Sequence, residues 1–363
     1  LCQGAAVQWS ASPNMTISSF SPSPASQIAA FYPLAAGDYT ITLAIDPGQG
    51  RAIVAFTALA VRVAGFTAIS EWPSAAAAND IRDFAIGGGR LWAATDAGLL
   101  GVSLTAFANQ VDVNAMYSGA DPTNLGAVWF ETELGTPWVG AANSQNDVWR
   151  VDPGGGGNVI PADIATALGG SSAVRDISAA NAGGVWVATS KGAARLAANG
   201  TLAGSARVNT DLYAVAHGPT RDFAGGTQLW DLLDGMYAHN PILVGDNKVR
   251  GLLMGGDALW AMGEVGIALV NPPYLATAQM WTSVGKVRAG AIETAGDVWF
   301  ASDAGILRYK PNFGGGPVMV PLPLSGVPSN VDNLLAVAVD QGNGRRVIFA
   351  GGDKGIFVLR LPP

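Results

Sequence analysis

Cysteine occurs once in the 363 residues, at Cys2, and histidine only twice, at His217 and His239. A single cysteine excludes an internal disulfide framework and any zinc site built on cysteines. His217 in AVAHGPT and His239 in YAHNP have no partner at metal-ligand spacing, so no metal site is expected and both are read as solvated loop histidines. Charge is sparse too: Asp, Glu, Lys and Arg make up 13% of the chain, and 27 acids against 20 bases leave a net −7. A chain this acidic has no general electrostatic reason to coat nucleic acid or anionic lipid, so neither partner is expected. Long hydrophobic runs are missing. The longest apolar stretch, residues 52–66, contains Arg62 and alternates with period two, which describes strands and no transmembrane segment. GxSxG, Walker and GxGxxG contexts are absent, and GGGG at 154–157 lacks the strand-to-helix surroundings of a phosphate cradle. No secretory leader is expected within these residues, and a start at Leu1 instead of Met is expected of a processed or truncated product whose upstream part would have held any targeting signal. Cys2 near that start invites a lipid anchor, although a processed lipoprotein would have nothing before its cysteine.

What is present is glycine, 48 residues, and tryptophan, 11 residues, in short apolar runs with few Glu/Lys-type helix formers, a composition that implies an all-β fold. The runs repeat. LWAATDAGLLGV at 91–102 returns as VWVATSKGAARL at 185–196, LWAMGEVGIALV at 259–270 and VWFASDAGILRY at 298–309, with a degraded copy, LWDLLDGMYAH, at 229–239. Each copy is an apolar residue and Trp opening a run, a polar residue and Gly about six positions on, then a second apolar run. That is a β-hairpin, and its return at roughly 40 residues is the signature of propeller blades. Seven blades are counted from second-strand markers at Trp92, Trp138, Trp186, Trp230, Trp260, Trp299 and Ile348. The chain ends after three strands of the last blade, so residues 66–73 are expected to supply its outer strand and close the ring, since an open ring would expose two sheet edges. AQMWTSVGKVR at 278–288 is read as the start of the sixth unit's outer strand.

Residues 1–65 lack the repeat. VQWSASP and GDYTITLAI, with Tyr39, Ile41, Leu43 and Ile45 alternating against Thr40, Thr42 and Ala44, read as antiparallel strands ended by Asp46-Pro47-Gly48. These strands resemble bacterial immunoglobulin-like and PKD-type modules, which implies a small β-sandwich. Almost nothing precedes Trp9, where such modules carry one or two further strands, so the module is expected to be completed by upstream residues or by another chain.

From residue 66 to 363 the blades resemble the two-component regulator propeller repeat, whose core is an apolar residue, Trp, a short strand, Thr, a polar pair and Gly. The resemblance implies a seven-bladed propeller that binds ligands or partners outside the cytoplasm, in the periplasm or at the cell surface. No kinase or DNA-binding segment accompanies it, so a signalling role does not carry over. Within the motif, the tryptophans are expected to fill space between blades, and Asp96, Asp303 and Asp353 to cap turns in which Gly98, Gly305 and Gly355 take positive φ.

The copies differ most usefully ten or eleven residues before the marker. There Arg82, Arg175, Arg250 and Arg288 enter the innermost strand of four blades, and Asp332 is read as their counterpart in the last. In a propeller this place lies at one mouth of the central channel, where the guanidiniums would suit an anionic ligand or an acidic partner loop. The alternative is that Arg82 and Arg175 pair with Asp83, Asp176 or Asp332 and join neighbouring blades. No catalytic residue and no cofactor is assigned. Propeller hydrolases need Glu, Asn and Asp converging on Ca²⁺, and no strand repeats a channel-facing carboxylate. A non-enzymatic extracellular platform is therefore expected, binding a protein partner or assembling with itself through aromatics in irregular loops, Trp129, Trp149 and Tyr274. A filament subunit, an anion sensor and a propeller hydrolase or lyase are the alternatives.

Overall fold

In a computed structural model of the chain, each copy of the repeat folds as the hairpin its turn residues demand. Gly98, Gly192, Gly305 and Gly355 take φ of 123°, 135°, 128° and 94°, conformations that a side chain disfavours. The turns are capped by the hydroxyl that ends the second strand. Thr95, Thr189 and Ser302, all buried, donate to the carbonyls of Gly98, Gly192 and Gly305 at 2.8, 2.9 and 2.7 Å. Of the aspartates expected to cap these turns, Asp96 meets Arg82 and Asp303 stands near Arg288.

The described residues are 6–12, 15–18, 30–33, 37–46, 54–63 and 66–69, as strands, then 80–104, 110–112, 124–143, 148–152, 158–159, 164–170, 172–180, 183–207, 211–232, 237–238, 248–274, 277–282, 284–294, 296–311, 317–319, 333–342, 346–353 and 355–361. They form seven four-stranded antiparallel sheets in chain order. Their inner strands are Ile81–Gly87, Leu125–Glu131, Val174–Ala179, Ala214–His217, Val249–Gly255, Val287–Ile292 and Leu334–Asp340, and they define sheets 1 to 7. Each inner strand touches the next, and the seventh touches the first. That cyclic order is compatible with a seven-bladed propeller. The outer strand of sheet 7 is Phe66–Ile69, which pairs antiparallel with Gly355–Leu361 through Ile69↔Ile356 and Phe66↔Leu359. Thr277–Trp281 is the outer strand of sheet 5, so the run around Trp281 belongs one unit earlier than its sequence suggests.

The core lies between the sheets. Among the described residues, seven clusters of buried side chains each join one sheet to the next, including sheet 7 to sheet 1 through Phe349, Ile356 and Val358 against Ile81, Phe84 and Leu91. Trp92, Trp138, Trp186, Trp260 and Trp299 each fill the gap toward the following sheet, as their spacing implies. Two markers move. In sheet 4 the second strand is Asp222–Gly225, and Phe223, paired with Ala216, fills the Trp position, while Trp230 sits on the third strand. In sheet 7 the filling residue is Phe349, paired with Ala338, one place after Ile348.

Upstream, Ala6–Ser12 pairs with Gly37–Asp46, which pairs in turn with Val54–Val63, and Met15–Ser18 forms a hairpin with Ala30–Pro33. The alternating run at 39–45 is thus the central strand of a three-stranded sheet, with Trp9 opposite Leu43.

Candidate functional site: an arginine-lined cavity

In six of the seven sheets the ladder between inner and second strand slips at the same place. The shifts fall between Ile81/Asp83, Leu125/Ala127, Val174/Asp176, Val249/Gly251, Val287/Ala289 and Leu334/Ala336. The residue skipped each time is Arg82, Gly126, Arg175, Arg250, Arg288 or Leu335. A bulge leaves one residue out of the ladder and re-aims its side chain. All six line one cavity of about 600 Å³, to which every sheet contributes; sheet 4 supplies Tyr213, just before its inner strand. The four arginines picked from sequence therefore line the same cavity. Leu335, not Asp332, occupies the corresponding place in sheet 7, and Asp332 lies outside the described residues. Gly126 is constrained by its neighbour, since a Cβ there would stand 2.6 Å from the carbonyl oxygen of Val174.

The arginines are not equivalent. Arg82 is surrounded by acceptors: it donates to Asp80 at 3.3 Å, Asn124 Oδ1 at 2.6 Å, the Leu125 carbonyl at 3.3 Å and the Asp96 carboxylate. Arg250 donates to Glu264 at 2.8 Å, and Lys286 meets the same carboxylate at 2.7 Å. Burial pushes Glu264 up, but Lys286 and Arg250 outweigh it and hold the group below its ordinary range. Arg288 has Asp303 Oδ1 at 3.9 Å, beyond hydrogen-bond reach, and its buried Nε has no acceptor. Arg175 is exposed and has no carboxylate partner among the described residues; its guanidinium lies 5.7 Å from the centre of the Tyr213 ring. Arg250 lies over the same ring at 4.0 Å.

The partners differ from those expected. Asp83 and Asp176 do join blades, but through backbone amides and without the arginines. Asp83 accepts from Phe84 N and, across the sheet boundary, from Val128 N, both at 2.8 Å; Asp176 accepts from Ile177 N and Val215 N at the same distance. Burial pushes Asp83 up to about 7 despite those two amides, and it pushes Asp176 well above its ordinary value, with the neighbouring Asp83 adding to the effect. The turn aspartates face the arginines of their own sheets: Asp96 meets Arg82, and Asp303 stands near Arg288.

The remaining sequence candidates fare differently. Trp129 is half-buried against the cluster between sheets 2 and 3, and Trp149 is buried between sheets 1 and 2. Tyr274 is buried too, edge-on to Phe223 at 4.8 Å, with its hydroxyl donating to the Asp257 carbonyl at 2.9 Å. The exposed aromatic surface expected of these three is therefore not there: Trp129 and Trp149 lie on strands, Leu125–Glu131 and Val148–Arg150, that pack them against neighbouring sheets, and the connection carrying Tyr274 folds against Phe223. His217 ends an inner strand, and its Nδ1 stands 2.8 Å from Asp222. His239 lies outside the described residues. Among the described residues no group of three or more His, Cys, Asp and Glu is placed to hold a metal, and no helix is long and apolar enough to cross a membrane.

This architecture has solved counterparts. The extracellular domain of the putative hybrid two-component system BT3049 from B. thetaiotaomicron superimposes with a TM-score of 0.64 over 91% of this chain and 49% of its own, at 12% identity. PorZ, a surface component of the type-IX secretion system of Porphyromonas gingivalis, gives 0.57 over 77% and 36% at 13% identity. A chain of the mitotic checkpoint complex gives 0.61 over 79% and 90% at 13% identity. At these identities the likeness is one of fold, and the chain spans less than half the length of the two bacterial proteins. No protein-family profile and no curated protein matches the sequence.

Tyr213 is the site residue that sequence reading missed. It stands where four other sheets carry arginine, and its signal in the sequence was the apolar Leu212 before it, the counterpart of Ile81, Val174 and Val249.

Proposed function

We propose that this chain is a non-enzymatic binding domain that works outside the cytoplasm, on a closed seven-bladed propeller, and that its ligand is an anion taken in the arginine-lined cavity. One observation carries this reading: Arg175 faces the cavity, stacks on Tyr213 and has no carboxylate partner among the described residues. A guanidinium is a strong, permanently charged donor, and a cavity wall gives it less competing water than an open surface would. The bacterial counterparts support the location, since they are extracellular regulator domains and a surface component of a secretion system. Calorimetric titration with acetate at low ionic strength tests the reading. Saturable binding that Arg175→Gln abolishes without lowering thermal stability is expected, and equal heats from both proteins would sink it.

A second reading, assembly with a protein partner or a further copy, is favoured by the upstream sheet. Ala6–Ser12 and Val54–Val63 each pair on one side only among the described residues, and an open edge can accept a strand. We read residues 1–65 as the immunoglobulin-like module this would complete. Light scattering across a hundredfold dilution checks it: a constant monomer mass excludes self-assembly through that edge.

A further inference from the structure

We propose that the cavity takes a small organic dianion by its two ends, one on Arg175 and the other on Arg288. This rests on the anion-binding reading above and goes further by assigning which arginines act and what they require.

Inner-strand arginine and the acid of the following turn form a recurring pair within one sheet. Arg82 has Asp96, Arg250 has Glu264 and Arg288 stands near Asp303. Sheet 3 breaks the pattern. Its turn reads Thr189-Ser190-Lys191-Gly192, so no carboxylate faces Arg175 from the position that supplies one elsewhere. Arg82 donates four hydrogen bonds and Arg250 one, to a Glu264 carboxylate it shares with Lys286, whereas Arg288 has Asp303 only at 3.9 Å and keeps an Nε without an acceptor. The Nε itself is closed to solvent, but the Arg288 side chain is 29% exposed, which leaves its terminal nitrogens for a ligand. Two guanidiniums thus have unused capacity, and they are in sheets 3 and 6.

Those sheets lie three places apart in a cycle of seven, the largest separation the ring offers, so the two guanidiniums project from opposite walls. The lining is mixed: Arg82, Arg250 and Tyr213 bring polar groups to the same cavity, and Leu252, Leu335 and Val337 bring apolar ones. A volume of about 600 Å³ falls within the range of small-molecule sites, roughly 300–1,000 Å³. One carboxylate could satisfy only one wall, whereas two separated anionic groups on one small molecule reach both.

The test is calorimetry on the full chain at low ionic strength, using acetate and hexanoate as monoanions and succinate, adipate and suberate as dianions of increasing length. We expect one dicarboxylate to bind at least tenfold more tightly than hexanoate. Arg175→Gln and Arg288→Gln should each bring its affinity down to the hexanoate level, and Arg288→Lys should fall between. If the best dicarboxylate and hexanoate bind alike and both depend on Arg175, the cavity is a one-ended anion site: this proposal falls and the preceding one stands. If no probe binds, both fall. Should Arg288→Gln fail to fold, the dependence on chain length in the unaltered protein still decides the matter, because a two-ended clamp prefers one span and a single guanidinium prefers none.

Discussion

The guanidinium of Arg250 lies 4.0 Å above the ring of Tyr213, and Arg175 reaches the same ring at 5.7 Å. One aromatic ring thereby attracts two like charges through its quadrupole. Sheet 4 contributes no arginine to the cavity, yet it organises those of sheets 3 and 5.

Replacing that face tests the arrangement. Tyr213→Leu keeps apolar bulk and loses the ring, so we expect a stability loss of about 0.5–2 kcal/mol in urea unfolding. Combining it with Arg250→Gln should cost less than the sum of the two single changes, because each removes the same contact. Full additivity would mean that the stacking contributes nothing. Weaker acetate binding by Tyr213→Leu is also expected, since Arg175 loses its support.

Asp83 gives the protein a pH dependence opposite in sign to that of most paired carboxylates. Its folded-state pKa, pushed up to about 7, lies above the ordinary value of 3.8. Below about pH 4 the group is protonated whether the chain is folded or not, and contributes nothing to the pH dependence. Between these values the native state holds a proton that the unfolded state has released, so stability falls as pH rises, and the whole cost is present above pH 7. Asp83→Asn should flatten this decline across pH 4 to 7, both by removing the group and by relieving Asp176 of a neighbouring negative charge. Chemical denaturation at intervals across that range reads the slope, and an unchanged slope would refute the assignment.

The marker residues make a sharper comparison. Phe223 is fully buried between sheets 4 and 5, whereas Trp230, the tryptophan that sequence spacing selects, is only partly buried between sheets 3 and 4. Phe223→Ala should cost about 3–5 kcal/mol, in line with aromatic truncations in close-packed cores, and Trp230→Ala measurably less. Equal losses would show that both positions carry the interface.

These residues also mark how far the sequence could be read. The sheets, their number and the inward turn of the tryptophans were legible, because a hairpin with Trp, a hydroxyl and Gly imposes itself locally each time. Sheet 4 was misaligned because Phe223 lies in DFAG, which lacks the Trp and Gly spacing, while LWD nearby imitates it. The four arginines could be collected from their spacing alone. Their inequality could not, since it depends on which turn carries an acid within reach and on a bulge that leaves no trace in composition. Nor could burial of Trp149 be read from a three-residue strand too short to show a period, or that of Tyr274 from a connection whose fold decides what it covers.

The junction between the upstream sheet and the ring offers the most direct test of how the ring is fastened. Phe66–Ile69 pairs with the last strand, Gly355–Leu361, so chain that precedes sheet 1 completes sheet 7. Without it, the outer edge of sheet 7 would present unpaired amides and carbonyls, and buried Ile356, Phe357, Val358 and Leu359 would lose a neighbouring strand. Two truncations separate this effect from that of the upstream sheet. A chain beginning at residue 65 keeps the strand, and its melting temperature should stay near that of the whole protein if the ring folds by itself. A chain beginning at residue 70 lacks it, and should melt lower and aggregate on heating. If both truncations behave alike, the pairing adds little and the cores between the sheets hold the ring without it. If only the shorter one fails, four residues at the front of the ring are what secure its end.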